Sequence, residues 1–268
     1  MMKIIQSILF TAVLATSLSV YADAEFTPIS DIQDESLLGN DIRSRVGVQG
    51  FYVPRYSGSD SYEMVPFPLI DVSWRDTVFL NSLRGLGAQY QFRQFHVGAM
   101  VNYDWGRDED DDHHLEGLGD VDGTFEGGVF AGYQLANWRL DAEILHAIGN
   151  KGYDGFEGKL ALANIHKFFN DRVIVTASIQ SSFADDHYMQ AYYGVTSAQS
   201  VSSGLKQYTP STGFYKAGGA LAAAFGVTRY FSINGVIGYE RLLDDAADSP
   251  VVQNGNQYRV GAGISYRF

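Results

Sequence analysis

The sequence predicts an all-β fold, a transmembrane antiparallel β-barrel of 12 strands, and three observations carry that prediction. From residue 46 onward, apolar side chains recur at every second position in segment after segment, the period of a strand with one oily and one wet face. Short and long connections alternate, as in outer-membrane barrels with tight periplasmic turns and longer external loops. Finally, the chain ends on such a segment. Tyr258, Val260, Ala262, Ile264, Tyr266 and Phe268 alternate with Gln257, Arg259, Gly261, Gly263, Ser265 and Arg267. An oily edge strand invites aggregation unless another strand closes on it. A barrel closes it against its first strand.

Composition narrows the partners and the compartment. The net charge of -12 argues against nucleic acid, whose phosphates need a basic surface. With no cysteine there is no disulfide framework, no thiolate zinc site and no lipid anchor on cysteine. Lys3 followed by a largely apolar run over 4–20 and the small-residue site Val20-Tyr21-Ala22 reads as a cleaved signal peptide, residues 1–22. After it no window of about 20 residues is uniformly apolar, so no spanning helix is expected. Residues 23–42 form an acidic periplasmic lead-in, and 43–268 form the barrel.

Taken in order, the first strand sets Val46, Val48 and Tyr52 against Arg45, Gly47 and Gln49, and residues 54–63 are a loop by their Pro, Gly, Ser and Asp content. In the second strand Ile70, Val72 and Trp74 oppose Asp71 and Ser73. Pro66 and Pro68 lack amides toward one neighbouring seam, which suggests a late strand start, with a weakened lateral seam as the alternative. Residues 77–92 hold either one long strand or two short ones turning at 82–84. Closure requires an even count and decides for the hairpin, giving 12, with ten strands as the alternative. Next, Phe95, Val97, Ala99, Val101, Tyr103 and Trp105 alternate with polar residues, and an acidic loop spans 106–122.

Further strands run through Phe125–Leu135 (where Phe130 breaks the pattern), Trp138–Ile148, Phe156–Leu162 and Val173–Phe183 by the same alternation. A long excursion over 184–213 follows, then strands around Tyr215–Phe225 and Phe231–Tyr239, a loop over 244–256 and the terminal strand. Strands of 10–12 residues tilted about 40° stand roughly 26–31 Å tall, enough for an apolar band of about 25 Å. Trp74, Trp105, Trp138, Tyr239 and Tyr266 are candidates for the aromatic girdles.

Several strings resemble the MipA/OmpV family of outer-membrane proteins: RGLGAQY (from Arg84), NYDWGRDEDDD (from Asn102), GLGDVDG (from Gly117), DDHYMQAYYGVT (from Asp185), YERLLDDAADSP (from Tyr239) and the terminal SYRF. The resemblance covers the chain from about Gly47. It implies the Gram-negative outer membrane and, for the MipA branch, a non-enzymatic scaffold joining a lytic transglycosylase to a penicillin-binding protein in peptidoglycan remodelling. Other members are treated as osmoregulated or immunogenic surface proteins and adhesins. A narrow or gated porin and a surface adhesin are therefore the alternatives. The family carries no catalytic residues.

The residues themselves offer few chemical sites. Residues 107–122 hold Asp108, Glu109, Asp110, Asp111, Asp112, Glu116, Asp120 and Asp122 with His113 and His114, an oxygen-rich loop that a hard cation or bridging to lipopolysaccharide phosphates could use. An EF-hand does not fit, because His113 stands where its glycine belongs. A solvated acidic loop is the simpler reading. Asp185-Asp186-His187 and Asp111-Asp112-His113 place carboxylates beside histidine, but adjacent residues on a strand face opposite ways and make no dyad. No catalytic, cofactor or metal residue is assigned.

Within the excursion, Thr196-Ser197-Ala198-Gln199 matches a capping box and Gly204 a helix stop, predicting a helix over Ser197–Ser203. Tyr188, Tyr192, Tyr193 and Tyr208 either fold that loop inward as a plug or form a contact surface. The inward set Arg45, Asp71, Glu126, Arg139, Asp141, Glu143, Glu157, Lys159, Arg259 and Arg267 carries both signs and suits paired networks in a mostly occluded lumen. Lipids and lipopolysaccharide of the outer membrane complete the expected partners.

Overall fold

The structure, a computed structural model, describes residues 41–149 and 152–268. The signal peptide and most of the lead-in expected before residue 43 lie outside the described residues. Twelve antiparallel strands close into a barrel. They are β1 (Ile42–Pro54), β2 (Tyr62–Trp74), β3 (Val78–Asn81), β4 (Gly85–Phe92), β5 (Phe95–Asp104), β6 (Thr124–Leu135), β7 (Trp138–Ala147), β8 (Phe156–Phe168), β9 (Val173–Ala184), β10 (Gly213–Gly226), β11 (Phe231–Leu242) and β12 (Asn256–Arg267). The terminal strand pairs with the first, from Arg45 opposite Arg267 to Tyr52 opposite Val260. Alternation follows the pleat: Val48, Ile70, Val97, Ile144, Ile179, Ile237 and Val260 are exposed on the outer wall. In a membrane that wall meets lipid.

At one end the turns are tight. The 93–94 and 136–137 turns have two residues each, with positive φ at Arg93 (56°) and Ala136 (52°). A turn of this kind prefers glycine at that position. Trp74, Phe95 and Trp138 stand exposed beside this rim, and Tyr52, Trp105 and Tyr239 beside the opposite one, so both ends carry a girdle.

Two strands depart from the uniform lengths the periodicity suggested. β3 has four residues and β4 eight, so the hairpin turning at 82–84 is low. The late start expected for β2 does not occur. β2 begins at Tyr62 and pairs with β1 over its whole length, from Pro54 opposite Tyr62 to Ile42 opposite Trp74.

The long loops carry three helices: α1 (Asp186–Tyr193), α2 (Ser197–Ser203) and α3 (Asp244–Ala247). α2 matches its prediction. Thr196 and Gln199 form the reciprocal capping box, and Gly204 ends the helix at φ 77°. α1 was not foreseen. Its signals were present in Asp185, whose carboxylate accepts the Tyr188 amide, and in the helical spacing of Tyr188, Met189, Tyr192 and Tyr193.

Candidate functional site: a charged lumen under a tyrosine plug

Polar side chains that alternation turns inward pair along the lumen wall. Lys159 Nζ lies 3.1 Å from Glu157 and 3.3 Å from Glu143, and Lys216 lies 3.6 Å from the same Glu157. Arg259 pairs with Glu240 at 2.6 Å, and Gln180 donates to the other oxygen of that carboxylate. Nearer the short-turn rim, Asp141 bridges Arg139 (2.6 Å) and His96 (3.0 Å), and Arg45 approaches Asp71 at 3.5 Å. Charges taken out of water need partners and hydrogen bonds, and here they find them across neighbouring strands. Most of the predicted inward set is thus paired, in separate groups along the wall: Arg45 with Asp71, Arg139 with Asp141, Lys159 with Glu143 and Glu157, and Arg259 with Glu240. Lys216 and Glu240 belong to these groups, although the periodicity reading did not single them out.

Above this layer the outer mouth is filled by tyrosines. Tyr188, Tyr192 and Tyr193 of α1 are buried with Tyr153 from the β7–β8 loop and Tyr215 of β10. Their rings touch edge to face or tilted, with centroids 4.9 Å apart for Tyr153 and Tyr188 and 4.7 Å for Tyr188 and Tyr192, the separations aromatic pairs prefer. Hydroxyls point down onto wall carboxylates. Tyr192 donates to Asp104 at 2.9 Å, Tyr153 to Glu126, and Tyr215 to Glu157. Burial first, and then the facing carboxylates, holds the Tyr153 and Tyr192 phenols far above their usual range. They therefore remain hydrogen-bond donors at any physiological pH. Of the two fates open to the loop tyrosines, the inward one holds for these three; Tyr208 is half-buried, with its hydroxyl donating to the Asp245 carbonyl.

Other loops lock the plug from outside. Buried Arg107 donates to the Tyr192 carbonyl at 2.8 Å, Ser249 to the Tyr193 carbonyl at 2.6 Å, and Ser57 shares a 2.8 Å bond with the Tyr193 hydroxyl. A second apolar cluster (Tyr56, Leu115, Leu118, Val195, Val251) joins the β1–β2 loop, the acidic loop, the excursion and the β11–β12 loop. The loops thus pack as one cap.

The acidic loop is folded. Residues 109–111 and 113–115 form single 3-10 turns, Asp112 accepts the His114 amide and the Ser59 hydroxyl, and the Asp108 amide donates to Asp111. Burial, with Asp108 and Glu63 nearby, pushes the Asp111 carboxyl up to about 6. His113 pairs with Glu116 at 2.6 Å in the open. Asp185, Asp186 and His187 do converge, because they sit at the start of a helix rather than on a strand. His187 Nδ1 lies 3.3 Å from Asp186 and 3.9 Å from Asp185. The imidazole and Asp186 are exposed, and Asp185 is occupied in capping α1.

Comparison with known proteins follows the same lines. The family model for MltA-interacting protein MipA matches residues 46–268, the whole barrel from early in β1. The chain belongs to the MipA family. Among curated MipA relatives, MltA-interacting protein of Escherichia coli K12 is 26% identical over 160 residues, 59% of this chain and 62% of that one. Outer membrane protein OmpV of Vibrio cholerae is 26% identical over 180 residues, covering 64% and 63%. The match thus spans about three-fifths of these relatives' length. Among solved structures, the COG4313 outer membrane channel from Pseudomonas putida F1 aligns with a TM-score of 0.43 at 14% identity, over 89% of this chain and 99% of that one. This MipA-family protein is an outer-membrane barrel.

Proposed function

We propose that this barrel is non-enzymatic and non-conducting at rest, and that it holds a murein-layer enzyme, a lytic transglycosylase working with a penicillin-binding protein, at the inner face of the outer membrane. The observation that carries the reading is the plug: α1 is buried in the long-loop end of the barrel, with Tyr192 seated on Asp104 and ion pairs of Lys159 and Arg259 on the wall beneath it. The E. coli relative's name, MltA-interacting protein, supports the choice of partner. The two rims also differ in charge. At the short-turn rim Arg93, Lys167, Arg172 and Arg229 stand exposed beside the ion pairs of Arg75 with Asp41 and of Arg43 with Asp76, a basic surplus, whereas the other end carries the carboxylates of the acidic loop and of Asp185, Asp186, Asp244 and Asp248. A basic rim suits an acidic partner surface and steers its approach.

Cross-linking in cells tests this directly. The native chain is expected to recover the transglycosylase, and a variant carrying R75E, R93E, R172E and R229E is expected to lose most of that yield. Recovery of no murein enzyme would remove the scaffold reading. A gated transport barrel is the second reading, favoured by a lumen lined with paired charges and closed by loops that could lift. A native protein that conducts in planar bilayers would support it.

A further inference from the structure

The low β3–β4 hairpin leaves a gap in the barrel wall. β3 pairs with β2 only from Asp71 opposite Asn81 to Trp74 opposite Val78. Ile70 is the last β2 residue toward the hairpin top, exchanging backbone and side-chain bonds with Ser82. Among the described residues no strand lies opposite 62–69 on that side. At about 40° tilt four residues rise about 10 Å, against an apolar band of about 25 Å. The opening is framed by β2, by the end of β5 with the edge-to-face rings of Tyr103, Trp105 and Phe125, and by the 82–84 turn beneath. Above it the β1–β2 and acidic loops join, Arg55 donating to the Asp111 carbonyl and Ser59 to Asp112. The cavity there has a volume of about 450 Å³ and is walled by Phe67, Leu83, Leu86, Val101, Tyr103 and Trp105 among others.

We propose that this window is a lateral binding site for one acyl chain of a lipid in the surrounding leaflet. Its lining continues inward as the apolar lumen cluster of Phe51, Val53, Val65, Leu83, Ala222 and Val236, with Phe67 and Ala220 packed against it. That cluster, with the neighbouring one of Phe79, Met100, Phe130 and Leu145, gives this side of the lumen an apolar lining beside the ion pairs, and the first of the two opens on the gap, where a hydrocarbon tail gains by leaving the wall and entering. The volume falls in the range of small-ligand pockets. A second copy of the chain is the rival occupant for an open strand edge, and the prolines oppose it. Backbone groups two residues apart point the same way, so Pro66 and Pro68 face the gap together with Ile70. They remove the donors that an added strand would need. The weakened seam inferred from these prolines is therefore the physical edge of the window.

The test uses the full barrel in dimyristoyl phosphatidylcholine vesicles containing a phosphatidylcholine with a diazirine midway along one acyl chain. Photolysis and peptide mapping are expected to label the lumen-facing Phe67 and Leu83 at a level comparable to lipid-facing Ile179. In L83W, or in L86W should the first variant not regain the heat-modifiable migration of a folded barrel, the Phe67 label is expected to fall at least five-fold with Ile179 unchanged. Labelling of Phe67 and Leu83 no higher than of Met189, buried in the plug, would overturn the proposal. So would complete disulfide dimerisation of Met64→Cys in the same vesicles, since it would put a second copy in the gap.

Discussion

Ala136 begins a two-residue turn with φ 52°, a backbone region that costs a β-carbon about 1–2 kcal/mol. Ala136→Gly is therefore expected to raise barrel stability by roughly 1 kcal/mol, less the entropy glycine carries into the unfolded chain. A urea titration of the heat-modifiable form in vesicles measures it; a loss of stability would mean the turn is not strained. Burial shifts the half-buried Asp111 upward, opposite to the usual shift of a paired carboxylate. Its folded value of about 6 lies above the unfolded one near 3.9, so the folded loop binds the proton more tightly. The sealed loop should tighten as pH falls from 7 through 6 and hold below 4. Proteolysis of residues 106–122 is expected to be several-fold slower at pH 5 than at pH 7.5, with the difference abolished in Asp111→Asn. Equal rates in the native chain would show that Asp111 does not govern the loop. The identity of such residues as acids was plain in the sequence, but their burial was not, because it depends on Arg107 and the β1–β2 loop folding over them.

Among the elements, strands were read best, since a period of two survives any tertiary context. α2 was equally legible because its capping box and glycine stop are local. α1 was hidden: DDHYMQAYY has the spacing of a helix, but its apolar face is built of tyrosines whose partners, Asp104 for Tyr192 and Ser57 for Tyr193, lie far away in the chain. The β3–β4 hairpin was placed correctly by the even-count argument, yet its four-residue height had no signal except the prolines across from it. Truncating one anchor tests how α1 is held. Asp104→Ala leaves the Tyr192 hydroxyl and the Gly106 amide without their acceptor, a loss of about 1–3 kcal/mol. Hydrogen exchange over Asp186–Tyr193 should quicken by ten-fold or more while α2 exchanges as before. Unchanged protection would mean that ring packing alone seats the plug.

On the scale of the whole molecule, closure of β12 on β1 creates the compartment, paired charges and apolar clusters line it, and α1 with the packed loops sits in its long-loop end. Each layer depends on the one below: alternation points the acids inward, the acids collect tyrosine hydroxyls, and the tyrosines bring down α1. The central claim is that this stack leaves the barrel closed. Single-channel recording in planar bilayers tests it most directly. The native protein is expected to give no steady conductance, and a variant lacking α1 to give resolved steps. Stable openings from the native chain at low voltage would contradict the account.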